Sequence, residues 1–245
     1  MHTFFAKYRL TSCLVDKELI ADIEKFILSE TKEYLTSVEN ESNKTDLDSM
    51  REEMFHIYIQ TKSDSQKYSS IADFAEDIFP DSVHTIVLDF NSYKNVFLNI
   101  RVIFHSSFSE HPVVEISMKA GNAKEICARF GTGIKSIVSR KRNTNHWYHN
   151  RTLLLSLLLV YTLWNVINYY VLTFTPSASP MHLANNILFN FLFALLTVWI
   201  IISIFLRPYI TFRTARQTII SLGYNVFSIL YLMILIVLFY NNIHH

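Results

Sequence analysis

The chain has 245 residues, and its 22 Lys+Arg against 21 Asp+Glu give a formal net charge of +1, so total charge indicates neither a polyanion-binding protein nor an acidic tail. The charges are unevenly divided, because the 95 residues from Arg151 onward contain no Asp or Glu and only 4 basic residues. This partition excludes a single soluble globule, in which charged residues are spread throughout. A hydrophobic content of 50%, with only 4 Gly and 5 Pro, also excludes a disordered or collagen-like chain.

The first part of the chain predicts alternating strands and helices. Residues 4–11 alternate between apolar and polar side chains, as in a half-buried strand. Asp16 is typical of an N-cap, and it is followed by an apolar stripe at helical spacing to about Ser37. The polar stretch 39–52 indicates a loop, and a second strand is predicted around Phe55–Ile59.

The rest of this region predicts a strand-rich domain. Residues 69–78 indicate a short capped helix, and three strand-like runs follow at 83–90, 96–104 and 113–118. The short linkers favour an antiparallel meander for these three strands. A last helix is predicted at about 122–139, with its two glycines as weak points. We therefore expect residues 1–146 to form an α+β cytosolic sensor or regulatory domain, a mostly antiparallel sheet with helices on one face.

Residues 147–245 predict an all-α membrane domain. Three apolar runs, at about 153–172, 183–206 and 218–240, are long enough to cross a bilayer as helices. No signal peptide opens the chain, and basic residues precede the first run and lie in the loop between the second and third. The chain is thus expected to be a multi-pass protein of the bacterial inner membrane, with the N-terminus in the cytoplasm and the C-terminus outside.

Each apolar run carries a polar stripe. Uncharged polar side chains at this depth either hydrogen-bond between helices or line a water-filled path between subunits, and the sequence leaves both open. A pore would require a homo-oligomer, with a tetramer as our guess. The residues concerned are Tyr161, Asn165, Asn168, Asn186, Asn190, Thr197, Ser221, Asn225 and Ser228.

Basic and aromatic residues are placed where the membrane interface is expected. Basic side chains can lie against anionic headgroups, and Trp and Tyr favour the interfacial belt. The predicted interface residues are Arg140, Lys141, Arg142, Trp147, Tyr148, Arg151, Arg207, Arg213 and Arg216. The last predicted helix leads into the first apolar run with almost no flexible spacer, which favours transmission of movement over a simple tether.

No catalytic constellation emerges from the sequence. There is no phosphate-cradling glycine loop, GxSxG or HExxH, and Cys13 and Cys127 lack the spacing of a zinc site or a disulfide framework. We therefore expect no enzyme, cofactor or metal. Lys119, Lys124, Arg129 and Lys135 could bind an anionic ligand through its phosphates, although a solvated helix face is the favoured explanation.

The layout resembles bacterial anti-phage effectors in which a cytosolic sensor is fused to a small membrane bundle, and among these the membrane effectors of Hailong defence systems. The resemblance covers the architecture of the whole chain, and its most particular residues are the strand-rich segment 83–118, the helix 122–139 and the KRNTNHW stretch at 141–147. It implies an oligomeric ion channel controlled by a nucleotide-derived signal, an oligodeoxyadenylate made by a partner nucleotidyltransferase.

Two functions are therefore expected from the sequence. The first is an oligomeric, ligand-gated channel or pore that senses a nucleotide-type signal and depolarises the membrane, which arrests growth in abortive infection. The alternative is a membrane-anchored protein-interaction or scaffolding module with no pore. A membrane-tethered enzyme would require a catalytic set assembled from scattered His, Asp and Glu.

Overall fold

The computed structural model describes residues 3–38, 47–92, 97–106, 111–143 and 210–216, with single positions elsewhere in the last hundred residues. The chain divides into two compact units. The N-terminal unit contains Met1–Asn145 and Pro208–Gln217, and the apolar unit contains His146–Arg207 and Thr218–His245.

The described elements of the N-terminal unit are strands with few helices. In chain order they are β1 (Phe4–Arg9), β2 (Leu14–Val15), α1 (Lys17–Val38), α2 (Leu47–Met54), β3 (Phe55–Thr61), β4 (Ser65–Tyr68), a 3₁₀ turn (Ile71–Asp73), β5 (Val83–Ser92), β6 (Leu98–His105), β7 (Val113–Met118), α3 (Ala123–Arg140) and β8 (Thr211–Phe212).

Six of these strands form one antiparallel sheet in the order β1-β7-β6-β5-β3-β4. The strands β5, β6 and β7 are neighbours in the sheet, so the predicted meander is confirmed. The remaining strands, β2 and β8, pair in parallel and form a separate small sheet.

One face of the large sheet forms the core. Alternate residues of each strand point to this face, because successive side chains of a strand point to opposite sides. Among the buried side chains are Ile57, Leu88, Phe90, Ile100, Phe104 and Ile116. The helices α1 and α3 contact each other, and α3 packs on β7 and β1 while α2 packs on β3.

Local hydrogen bonds explain where the first helix begins. The backbone amide of Leu19 donates to Asp16 Oδ1 at 2.8 Å, which satisfies one of the free amides at the N-terminus of α1. Further along α1, the buried carboxylate of Glu24 accepts hydrogen bonds from Arg51 Nε at 2.8 Å and from the Ile71 amide at 3.1 Å. Glu24 thereby joins α1, α2 and the 3₁₀ turn.

The two glycines of α3, which the sequence predicted as weak points, do not interrupt the helix and are close-packing positions. α3 is continuous from Ala123 to Arg140. A Cβ atom at Gly131 would overlap the ring of Tyr8, and one at Gly133 would overlap the ring of Phe26. The missing side chains allow α3 to approach β1 and α1 closely.

Two further local predictions are wrong. Part of the loop predicted at 39–52 is helix α2, which continues directly into β3. The short helix predicted at 69–78 is only a 3₁₀ turn, although Ser70 caps it as expected by accepting from the Ala72 amide at 3.2 Å.

The predicted fold class, an α+β domain followed by an all-α domain of three transmembrane helices, is wrong. The described residues form a mostly antiparallel-sheet domain with few helices, and no three-span helical domain is seen among them. Within that described part, no helix combines the length and apolar character needed to cross a bilayer. Most of the predicted spans 153–172, 183–206 and 218–240 lie outside the described residues.

Large apolar side chains are exposed at many of the described positions of the apolar unit. Each described position is helical, and the exposed apolar residues mostly recur three or four residues apart within each apolar run, as on one helix face. The exposed residues are Leu159, Leu163, Val166, Leu188, Phe191, Leu195, Val198, Ile219, Leu222, Val226 and Met233.

Candidate functional site

Three segments that are distant in sequence meet on the short strand β2. We call them the connector, and they are residues 12–15, 141–143 and 210–216. Residues 141–143, which follow α3, lie on one side of residues 12–15. Residues 210–216, which lie between the second and third apolar runs of the sequence, pair on the other side. The connector is thus a small three-stranded arrangement with residues 12–15 in the centre.

Backbone hydrogen bonds define both pairings of the connector. On the α3 side, Cys13 forms an antiparallel bridge with Arg142, and the Leu14 amide donates to the Lys141 carbonyl at 2.9 Å. On the other side, the Thr211 amide donates to the Cys13 carbonyl at 3.2 Å and the Arg213 amide to the Val15 carbonyl at 2.8 Å. On this second side, β8 adds to the edge of β2 as a parallel strand.

The side chain of Asn143 links the two outer segments directly. Its Nδ2 donates to the Cys13 carbonyl at 3.0 Å and to Thr211 Oγ1 at 2.9 Å. A single amide group therefore bridges all three segments of the connector.

The segment 210–216 is also held by contacts outside β2. The ring of Phe212 packs edge-on against that of Phe79, with 6.3 Å between the ring centroids. The Phe79 amide donates to the Arg213 carbonyl at 3.0 Å, and the Arg216 amide donates to Asp81 Oδ1 at 3.1 Å. Ile210, Thr211, Phe212 and Thr214 are buried, so the segment is part of the domain's core.

Charges tie the end of α3 to the start of α1 beside the connector. Lys141 Nζ lies 3.2 Å from Asp16 Oδ2 and also pairs with Glu18. The hydrogen bond that Lys141 donates to Glu18, together with the hydrogen bond and charge of Asp16, raises the pKa of Lys141 despite its partial desolvation. Cys13 is fully buried, and this burial, with the nearby charge of Asp16, raises the pKa of its thiol to about 12. The thiol is therefore protonated and inert at neutral pH.

The connector lies close in sequence to each point at which the chain passes between the two units. The chain leaves the N-terminal unit after Asn145, returns at Pro208 and leaves again after Gln217. The two units are therefore joined by three chain crossings, each of which lies within a few residues of the connector.

A second candidate surface is the face of the large sheet that points away from the helices, which we call the open face. A row of charged residues crosses it on neighbouring strands, since Lys7 is in register with Glu115, Glu115 with Arg101, and Arg101 with Asp89. We call this the charge row, and its signs alternate. Lys7 Nζ and Glu115 Oε1 are 2.8 Å apart, whereas Arg101 and Asp89 approach only to 3.6 Å.

The charge row continues to His56 on β3 and contains unsatisfied polar atoms. His56 is in register with Asp89, and neither His56 Nδ1 nor Asp89 Oδ1 has a hydrogen-bond partner although both atoms are buried. Burial, with the positive charge of Lys67, lowers the pKa of His56. Most buried polar atoms in folded proteins have a hydrogen-bond partner, and these two atoms lack one, so the hydrogen bonding at this end of the row is incomplete.

An apolar row runs beside the charge row on the same face. Val113 is in register with Ile103, Ile103 with Val87, and Val87 with Tyr58. All four side chains are half-buried. The open face therefore has the mixed polar and apolar character of a contact surface.

The four predicted anion-binding residues are all exposed. Lys119 follows β7, and Lys124, Arg129 and Lys135 lie on α3. Arg129 is already paired, with Nε 2.6 Å from Glu30 and an Nη 2.9 Å from Glu33, and these pairs raise its pKa. Lys135 Nζ lies 5.5 Å from the centre of the Tyr8 ring.

The predicted interface residues divide between described and undescribed positions. Lys141 and Arg142 belong to the connector, Arg140 ends α3 and is exposed, and Arg213 and Arg216 are exposed residues of the segment 210–216. Trp147, Tyr148, Arg151 and Arg207 lie outside the described residues.

Of the polar-stripe residues, only Tyr161 is described, at a half-buried helical position. The other eight, Asn165, Asn168, Asn186, Asn190, Thr197, Ser221, Asn225 and Ser228, lie outside the described residues, so their assignment to a pore or to helix packing stays a prediction.

The sequence missed both candidate surfaces. The connector depends on strand pairings between residues far apart in the chain, and a two-residue strand such as β8 leaves no periodic signal. The rows of the open face depend on the exact register of the strands, which the predicted meander does not specify. Comparison with protein-family models, curated proteins and solved structures finds no match for this chain.

Proposed function

We propose that this chain is an oligomeric membrane effector of bacteria, a ligand-gated channel or pore. In this proposal its N-terminal unit lies on the cytoplasmic side of the inner membrane and senses a nucleotide-type signal, and its opening depolarises the cell during anti-phage defence. The observation that carries the proposal is the connector, because it builds the segment between two apolar stretches into the folded N-terminal unit.

The apolar unit supports a lipid environment. Its described positions expose large apolar side chains, such as Phe191 at 60% and Ile219 at 71%. Exposed apolar surface of this extent is costly in water and marks a membrane or protein contact. The sequence of both stretches also lacks any Asp or Glu, as expected of residues that lie in hydrocarbon.

The number of chain crossings favours gating over simple anchoring. An anchor needs one connection to the domain that it holds, and a flexible one suffices. Here the chain crosses between the units three times, and the middle of the apolar half is fixed to β2. A ligand-driven shift of β2 would therefore pull on both apolar stretches at once, as a gate requires.

Ion conductance of the full-length protein in a planar bilayer tests the proposal. Nucleotides and short oligonucleotides are added on the side of the N-terminal unit. We expect discrete conductance that at least one of them modulates. The variant Asn143→Ala removes the bridge between the connector segments, and it should reduce the ligand response while leaving the unit conductance unchanged.

The matched control is Asn122→Ala, since the side chain of this exposed asparagine makes no capping hydrogen bond. It should behave as the unchanged protein. If intact oligomers are silent under every condition, the pore is refuted and the membrane-anchored interaction module becomes the better account. If conductance appears but Asn143→Ala and Asn122→Ala respond alike to the ligand, the connector does not couple the two units.

A further inference from the structure

We infer that the open face of the sheet is a homodimer interface, in which two copies of this chain pack face to face about a two-fold axis parallel to the strands. The inference rests on the charge row and the apolar row, and it is independent of whether the protein conducts ions.

The charge row is self-complementary. Its residues alternate in sign in the order Lys7, Glu115, Arg101, Asp89 on four neighbouring strands. A two-fold axis that passes between β7 and β6 reverses this order in the second copy. Glu115 then faces the partner's Arg101, and Lys7 faces the partner's Asp89, so every position meets the opposite charge.

The same axis also matches the central pair of the apolar row. Val113 on β7 and Ile103 on β6 are in register and lie on either side of the axis. Val113 therefore faces the partner's Ile103, and the contact is repeated by symmetry. A two-fold interface must be self-complementary in this way, because the same patch is used by both copies.

The incomplete pairing within one copy supports a second copy as the occupant. Arg101 is 49% exposed and reaches Asp89 only at 3.6 Å, and Asp89 Oδ1 has no hydrogen-bond partner. A facing copy brings the partner's Lys7 ammonium to this end of the row. Two antiparallel sheets packed face to face are a standard arrangement, with about 10 Å between them.

The test exploits the symmetry of the central pair. In Glu115→Lys, two copies would place the new lysine opposite the partner's Arg101. In Arg101→Glu, they would place the new glutamate opposite the partner's Glu115. Each variant should therefore repel itself, whereas a mixture of the two restores opposite charges at both central positions.

Recovery of the dimer in the mixture cannot arise from contacts within one chain, because the charge contacts inside each variant chain are the same whether it is mixed or alone. Both altered side chains are partly exposed, at 29% for Glu115 and 49% for Arg101, so the fold should tolerate them, and circular dichroism checks this.

Cross-linking of full-length protein in detergent provides the readout. One chain carries Ser117→Cys and the other, with a different tag, carries Asn99→Cys, because these positions face each other across the same axis. A short bis-maleimide then joins the two chains. The native Cys13 and Cys127 are fully buried and should not react.

We expect the yield of cross-linked dimer to fall about tenfold or more when both chains carry Glu115→Lys or both carry Arg101→Glu, since like charges opposed in an interface strongly disfavour it. The yield should recover when one chain carries each change. The control Lys124→Glu, on the helix side of the domain, should leave it unchanged. A yield that ignores these charges, or a mixture as poor as either variant alone, would overturn the inference and leave the open face for another partner or a ligand.

Discussion

The substitution Phe212→Ala isolates the docking of the segment 210–216. Phe212 is 4% exposed and packs against Phe79, so the change leaves a cavity in the core beside β2. Truncation of a buried Phe typically costs about 3–5 kcal/mol. The rest of the N-terminal unit keeps its own core, so we expect most of this cost to fall on the docking of β8.

A loss of about 3 kcal/mol corresponds to a change of roughly 100-fold in an equilibrium constant. The open state of the segment 210–216 should therefore become about 100-fold more populated. Hydrogen exchange followed by mass spectrometry measures this directly. The amides of Thr211, Arg213 and Phe79 donate across the docked segment, and their exchange should speed up by about that factor.

Peptides from the centre of the large sheet, such as those that contain Val102, should keep their exchange rates. Phe5→Ala is the matched control, because this aromatic side chain is 60% exposed and lies outside the connector. Unchanged exchange at Thr211 and Arg213 would refute the reasoning that Phe212 holds the segment. Equal acceleration throughout the sheet would show instead that β8 and the sheet unfold as one unit.

Three other outcomes are expected from the packing and the charges. Gly133→Ala should lower the free energy of unfolding by about 1–3 kcal/mol, because the overlap of the new Cβ with the Phe26 ring outweighs the gain of about 1 kcal/mol in helix propensity. Gly121→Ala, which has open space around it, should leave the Tm unchanged. Glu24→Ala should lower the free energy of unfolding in urea by about 3 kcal/mol, because it leaves Arg51 and the Ile71 amide without their buried acceptor. Arg129→Ala, on the surface, should leave the urea midpoint unchanged. The pKa of His56 is lower in the folded state than its unfolded value of 6.5, so its neutral form contributes stability above pH 6.5 that is lost as the pH falls through the folded value. His56→Gln should therefore reduce the fall in Tm below pH 6.5. An unchanged pH profile of Tm would contradict this.

Local signals in the sequence predicted the long elements of the N-terminal unit well. The predicted strand at 83–90 is β5, and the helix predicted at 122–139 is α3, each shifted by a residue or two at one end or the other. Both have a clear apolar period, which is the strongest sequence signal. Asp16 was also identifiable as a cap, because a short acidic side chain before an apolar stripe is typical of a helix start.

Non-local pairings could not be predicted in the same way. The strand β8 is two residues long, and nothing in its sequence indicates that it pairs with residues 14–15. The register that places Arg101 between Glu115 and Asp89 is set by the pairings of β6 with β7 and of β5 with β6, and the pairing of β1 with β7 adds Lys7 to the row. The candidate surfaces therefore depend on tertiary contacts, whereas the anion-binding patch expected from the sequence stays a prediction.

The pairing of β2 with β8 has a consequence for the synthesis of the protein. Cys13 and Thr211 are 198 residues apart, and about 70 residues separate the connector's Asn143 from the end of the segment that completes it. At about 5–20 residues per second, the ribosome needs roughly 4–14 s to make that stretch. During this time the sheet edge at β2 is exposed and could pair with another chain. The connector can therefore be completed only after the apolar stretch before Pro208 has been made, which couples the maturation of the N-terminal unit to the synthesis of the apolar one.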